Sequence, residues 1–210
     1  MPPFSDLDEK CALATRMHGI RFILASNSPR RRELLENVGF EFDVVPSTVP
    51  EEVLPGEAPE TFVRRLAVAK ASQVAACAPR GSVVLGADTA VVVNGEILGK
   101  PLDADDAARM LRRLSGRSHR VLTGVCVVEA PDRIHGVEHA STEVWFRDVS
   151  EQEIRAYASS GEPMDKAGAY AIQGIASRFV TRIDGSYSNV VGLPLSLVDQ
   201  LLRPFTSKTG

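Results

Sequence analysis

The sequence predicts a mixed α/β domain, and three stretches carry that prediction. Residues 83–98 hold a run of Val, Leu and Ala, a turn at Asn94-Gly95 and a return run at Ile97-Leu98, the pattern of a buried strand and a hairpin. Residues 21–39 read as a short apolar strand, a polar loop and a helix, and residues 59–78 place apolar side chains at helical spacing. With 210 residues and 44% hydrophobic content, the chain can bury a core in one domain, or in two lobes sharing one sheet. We expect one domain over residues 21–204, an N-terminal extension over 1–20 that is partly helical around Glu9 to Met17, and a frayed tail over 205–210.

Composition removes several classes of function. A formal net charge of -3 argues against a nucleic-acid coat or a membrane-surface binder, both of which need a basic excess. Any anion must therefore be met by a local cluster. No apolar run approaches membrane-spanning length, and the acids near the start interrupt any signal peptide, so a cytoplasmic protein is expected. Cys11, Cys77 and Cys126 lack CxxC spacing, which disfavours a disulfide framework or a zinc site, and their apolar settings suit core thiols.

In chain order, Arg21 to Ala25 is the first strand. Ser28 is a good N-cap, Pro29 suits the first helical position, Leu34, Leu35 and Val38 supply a buried face, and Gly39 stops the helix. Free amides at that helix start, small polar residues and neighbouring arginines make an anion site. Phe40 to Val45 reads as a second strand, and residues 47–59 as a Pro-rich loop whose Glu51-Glu52 pair is more often merely solvated. The helix over 59–78 buries Phe62, Val63, Leu66, Ala69, Val74 and Cys77. Lys70 lies beside that stripe, where a snorkelling surface lysine is the commoner case.

Asp88 is the first residue that demands an explanation. A carboxylate inside a β-branched run needs a partner, a metal or a substrate. The hairpin returns Lys100 toward the same end of the sheet, with Pro101 ending the strand. Asp103 to Leu114 is an amphipathic helix. Residues 118–129 and 134–148 are long strands around Pro131-Asp132, with His119 read as structural. Ser150 and Glu153 form a capping box for a helix to Ala158. The interleaved small, acidic, basic and amide residues of 162–174 suit a loop lying against something polar. Phe179 to Ile183 is a strand, and Leu195 to Leu202 the last helix.

From about Ile23 to Leu202 the chain resembles the Maf family of nucleotide pyrophosphatases. The resemblance runs through LASNSPRR at 24–31, GADT at 86–89, GKP at 99–101, EPMDKAGAYAIQG at 162–174 and NVVGLP at 189–194. It implies a mixed, elongated, twisted sheet flanked by helices, two lobes with a central cleft, and hydrolysis of a nucleoside triphosphate to its monophosphate and pyrophosphate with Mg²⁺ or Mn²⁺. Carried over by position, it implies Asp88 as proton acceptor, Lys100 as essential lysine, and Ser26, Arg30, Arg31 and Lys70 as phosphate contacts. Glu52 matches the acidic loop residue and joins Asp88 as a metal ligand. Arg30, Thr89 and Gln173 are similar to the set in the branch acting on dTTP and UTP. A homodimer is common in similar proteins.

The residues are chemically coherent with that expectation. Cleavage between the α and β phosphates puts charge on departing pyrophosphate, which cations and helix-end amides stabilise. Gln173 offers the donor and acceptor that match the O4 and N3–H edge of uracil or thymine, including modified uridine triphosphates. The alternative is a nucleotide-binding regulator of septum formation without turnover. No GxxxxGK[ST] loop favours a kinase-type reading.

Overall fold

The computed structural model describes residues 19–206, so the expected helix around Glu9 to Met17 and residues 207–210 of the tail lie outside the described residues. The strands are β1 (Phe22–Leu24), β2 (Asp43–Val44), β3 (Val83–Val93), β4 (Glu96–Leu98), β5 (Ser118–Glu129), β6 (Arg133–Phe146) and β7 (Val180–Asp184). They make one seven-stranded mixed sheet in the order β2-β1-β3-β5-β6-β7, with β4 added beside β3. β1 runs parallel to β2 and β3, and the remaining pairings are antiparallel.

One consequence of this topology positions the site. On one side of β3, Val83, Val84 and Leu85 pair with β1, whereas Val91, Val92 and Val93 pair with β4. Between them, residues 86–90 are paired only on the other side, with β5, among the described residues. The sheet forks there, and the loops leaving β1 and β4 enter the gap. An open sheet that changes neighbours in this way leaves a crevice at strand ends, where ligands bind.

The helices are α1 (Pro29–Asn37), α2 (Pro59–Ala75), α3 (Ala104–Leu114), α4 (Glu151–Ala158), α5 (Tyr187–Val191) and α6 (Leu195–Thr206). α2 covers one face, where Gly86 and Gly124 act as close-approach points: an added Cβ would lie 2.4 Å from the Ala67 carbonyl oxygen and 2.2 Å from that of Val63. The other face carries two apolar clusters. Leu35, Leu85, Val125, Leu193, Val198 and Leu202 form one, and Val91, Leu111, Val121, Tyr157, Tyr170 and Phe179 belong to the other. Thr89, Thr123, Thr142 and Asn189 make a hydrogen-bonded polar layer between them.

Local signals explain most elements. Asn94 and Gly95 take φ values of 52° and 80°, the left-handed pair that a two-residue hairpin needs. Ser28 caps α1 and Asp103 caps α3, and Ser150 with Glu153 forms the capping box of α4. Several expectations change. The second strand shrinks from Phe40–Val45 to Asp43–Val44, because Phe40 turns into the core and stacks near Phe22 at 5.6 Å. On α1, Arg31 rather than Val38 is buried. α2 ends at Ala75, leaving Cys77 exposed. The 162–179 loop is wound into short 3₁₀ turns, and α5 forms just ahead of and into the start of the NVVGLP stretch, ending at Val191. α6 continues through Pro204 to Thr206, two residues into the expected tail, with Phe205 packed against His135 at 4.6 Å. Among the described residues no helix is long and apolar enough to cross a membrane.

Candidate active site

Alternation along β3 sends Asp88 to the α2 face at the open gap, where it is 5% exposed. The close seating of α2 on Gly86 and Gly124 brings Lys70 to it. Lys70 lies four residues after Leu66 and seven after Val63, hence on the buried stripe itself rather than beside it. Its Nζ donates to Asp88 Oδ1 at 2.6 Å and to Glu51 Oε1 at 2.5 Å, and Lys100 Nζ donates to Glu51 Oε2 at 2.9 Å. Acids and ammonium groups therefore alternate in one chain across the gap.

Their electrostatics differ. Burial drives the Asp88 carboxyl above its ordinary value, outweighing the attraction of Lys70 and Arg31. Burial also opposes ionisation of Glu51, but its bonds to Lys70 and Lys100 win and hold it at about 2. Asp88 is thus the more basic carboxylate of the pair.

The phosphate side comes from the loop after β1. Ser26 and Arg30 line the cleft with the start of α1. Arg30 Nη1 reaches Asp165 Oδ2 across the cleft at 3.3 Å, and Asp165 Oδ1 also accepts from Lys166 Nζ at 2.5 Å. Arg31 lies differently from a free phosphate contact. Its Nε donates to the Gly192 carbonyl at 2.8 Å, Nη1 to Ser26 Oγ at 3.1 Å and Nη2 to Thr89 Oγ1 at 2.9 Å. All its donor nitrogens are engaged internally, and burial pulls its guanidinium below the usual arginine value. Thr89 is tied in the same way, with its hydroxyl 2.9 Å from that of Thr123.

These groups bound a single cavity of about 390 Å³, a size suited to a small ligand. Ser26, Arg30, Arg31, Lys70 and Asp88 line it together with Thr89, Lys100 and Gln173. Tyr170, Ile172, Val91 and Val121 give it an apolar wall.

Glu52 is the exception among the expected site residues. It is exposed and does not line the cavity; Glu51 does. Arg65 fixes which acid faces inward, donating to the Glu52 carbonyl at 2.9 Å and to both oxygens of Glu57 at 2.6 and 2.7 Å. Gln73 holds the start of the same loop through Ser47 and Thr48. The expected metal ligand Glu52 therefore stands outside the cavity, and its neighbour Glu51 is the acid the structure brings to Lys70 and Asp88. Lys166 also lines the cavity and was missed, although it stands inside the 162–174 polar loop. Cys126 is buried with its thiol pushed up to about 12, which leaves it inert, and Cys11 lies outside the described residues.

Two carboxylates here, Glu51 and Asp88, share one cationic partner and offer hard oxygen donors. Among the described residues no group of three or more His, Cys, Asp or Glu side chains is placed to hold a metal. That donor set fits Mg²⁺ or Mn²⁺, which take one or two carboxylates and complete their shell with phosphate oxygens and water, and does not fit zinc.

A dTTP/UTP pyrophosphatase of Vibrio cholerae is 52% identical to this chain over 188 residues, covering 88% of it and 98% of the relative. One from Anaeromyxobacter dehalogenans is 55% identical over 186 residues, covering 87% and 93%. Among solved structures, the Ham1 protein of Staphylococcus aureus aligns with a TM-score of 0.49 at 13% identity, over 88% of this chain and 98% of that one. The model of the Maf-like protein family matches residues 21–205, and the chain belongs to that family.

Proposed function

We propose that the protein hydrolyses dTTP and UTP, and modified uridine triphosphates, to the nucleoside monophosphate and pyrophosphate. The observation that carries this reading is the Asp88–Lys70–Glu51–Lys100 chain, set in the gap of the sheet and lining one cavity together with Arg30 and Gln173. The relatives named as dTTP/UTP pyrophosphatases support the choice of base and reaction.

In the proposed step, a water oxygen attacks the α-phosphorus and forms the new P–O bond. The bond from that phosphorus to the α–β bridging oxygen breaks, and its electron pair leaves on pyrophosphate. The water proton passes to Asp88, whose burial raises its affinity for protons above that of an ordinary carboxylate, the direction a general base requires. Lys100, Lys70 and Arg30 place positive charge where the leaving group accumulates negative charge. Glu51 and Asp88 would hold a divalent cation, which when bound supplies charge neutralisation on the triphosphate. Ser26 and the amides at the start of α1 would orient phosphate oxygens, while Arg31 acts by holding Ser26 and Thr89 in place. Gln173 would read the O4 and N3–H edge against the apolar wall of Tyr170 and Ile172. A regulator of septum formation that binds without turnover is not favoured, since the relatives are named as pyrophosphatases.

Product analysis tests the proposal. With Mg²⁺ or Mn²⁺ present, dTTP and UTP should give monophosphate and pyrophosphate, with CTP and GTP turned over far more slowly. Diphosphate and orthophosphate as products, or a preference for GTP, would overturn it.

A further inference from the structure

Gln173 sits at the tip of a tight turn, closed by a bond from the Gly174 amide to the Ala171 carbonyl at 3.1 Å. Its own side chain faces the cleft, but the backbone on either side is held from outside the cleft. The Ala171 amide donates to Tyr157 Oη at 3.2 Å, and that hydroxyl donates to Glu162 Oε1 at 2.9 Å. The Ile175 amide donates to Glu162 Oε1 and Oε2 at 3.1 and 3.3 Å. Glu162 also lies flat against the turn, since a Cβ on Gly174 would come 2.1 Å from Oε1. Tyr157 is fixed in turn: it is 3% exposed, belongs to the capped helix α4, and meets the Phe179 ring edge-on at 5.6 Å.

The geometry points to Tyr157 and Glu162 as positioning residues for base selection: together they clamp the backbone on both flanks of Gln173 and fix where its side chain enters the cleft to meet the O4 and N3–H of uracil or thymine rather than the reversed pattern of cytosine. Neither side chain lines the cavity, so neither touches substrate. The inference rests on the proposed reading of Gln173. A paired donor and acceptor discriminate only when their direction is fixed, because a rotating amide presents either end. A turn tethered at two amides on opposite sides of one residue fixes the point from which the side chain reaches the base and so narrows the orientations that meet it, whereas an untethered tip does not. A carboxylate acceptor strengthens the tether over a neutral one.

The experiment measures kcat and KM for dTTP, UTP and CTP with Tyr157→Phe and Glu162→Gln, both of which keep side-chain bulk, and with Gln173→Ala alone and combined with each. Thermal melts establish that the variants fold. The expected result is a fall of about tenfold in the dTTP-to-CTP ratio of kcat/KM for each positioning variant, carried mainly by KM for dTTP. In the Gln173→Ala background the same changes should alter the ratio no further. Folded variants with an unchanged ratio, or effects that add to that of Gln173→Ala, would overturn the positioning role while leaving the proposed function standing. A wild-type protein that releases no pyrophosphate from dTTP would instead overturn the function on which the inference rests.

Discussion

With 8% of its side chain exposed and two carboxylates on one ammonium, Lys70 satisfies Asp88 and aims it into the gap. Removing one partner of a buried pair leaves the other charge uncompensated, so Lys70→Met should cost about 3–5 kcal/mol at pH 8. The loss should shrink at pH 5. Without the ammonium, Asp88 binds a proton more tightly when folded than when unfolded, so its penalty grows as pH rises above the ordinary carboxylate range. Urea unfolding at the two pH values checks this, and a penalty independent of pH would show that Asp88 is not the group left stranded. Asp88→Asn keeps the shape and loses the base: kcat should fall at least about a hundredfold with nucleotide affinity little changed, and substantial residual turnover would rule out the role. His119 makes a separate, stability-level prediction. Its Nε2 pairs with Tyr170 Oη at 2.8 Å, and burial lowers the ring to about 4. Below the ordinary value near 6.5 the unfolded chain takes up the proton first, so the contribution is intact above that value and is lost as pH falls toward 4. The full shift corresponds to about 3 kcal/mol. His119→Phe should flatten the fall in unfolding midpoint over that window, and an unchanged slope would assign the acid sensitivity elsewhere.

At the level of elements, α2 is the part whose placement decides whether the site exists. It can deliver Lys70 to Asp88 only because Gly86 and Gly124 let its backbone settle onto β3 and β5, with Asp88 directly opposite Gly124 in register. Gly124→Ala would press a methyl on the Val63 carbonyl. Overpacking of that kind typically costs about 1–3 kcal/mol, and here the helix has to rise off the sheet. The melting temperature and kcat should fall together; a variant that melts lower yet keeps full kcat would show that the helix gives way without moving Lys70. The elements themselves were legible wherever a local device specifies them, as at the Asn94-Gly95 hairpin and the Ser150–Glu153 cap. The site was less so where long-range partners decide orientation. Glu51 and Glu52 are identical neighbours in an aperiodic loop, and the choice between them falls to Arg65 on α2. Arg31 turns inward because the Gly192 carbonyl, 161 positions away, accepts from it. Nothing within either stretch encodes those partners. The short α5 escaped notice for a related reason, since Ser186 caps it but only five residues follow.

Across the whole molecule, the fork in the sheet divides the working groups between two halves. Arg30 and Ser26 belong to the β1–α1 side, next to the cluster of Leu35 and Leu193, while Gln173, Lys166 and Asp165 belong to the 162–174 loop, whose 3₁₀ turns pack beside α3 and α4. The direct ion pair across the cleft, Arg30 with Asp165, is a partly exposed contact at 3.3 Å with 62% of the Asp165 side chain in solvent, and such pairs contribute little. On the proposed reading a nucleoside triphosphate would join both sides, its phosphates displacing Asp165 from Arg30 and its base meeting Gln173. A ligand that binds only the folded chain stabilises it by about 2.7 kcal/mol at a hundredfold excess over Kd, which for a domain of this size raises the melting temperature by about 5–10 °C. A dTTP analogue with a non-hydrolysable α–β bridge should therefore produce a large shift, and dTMP at the same concentration a much smaller one, since it leaves the outer phosphate contacts unmade. Arg30→Ala should bring the analogue's shift down toward that of dTMP, whereas Asp165→Asn should preserve or increase it by freeing Arg30. Equal shifts for analogue and monophosphate would place the binding energy on the base side alone and refute the bridging role of the cleft.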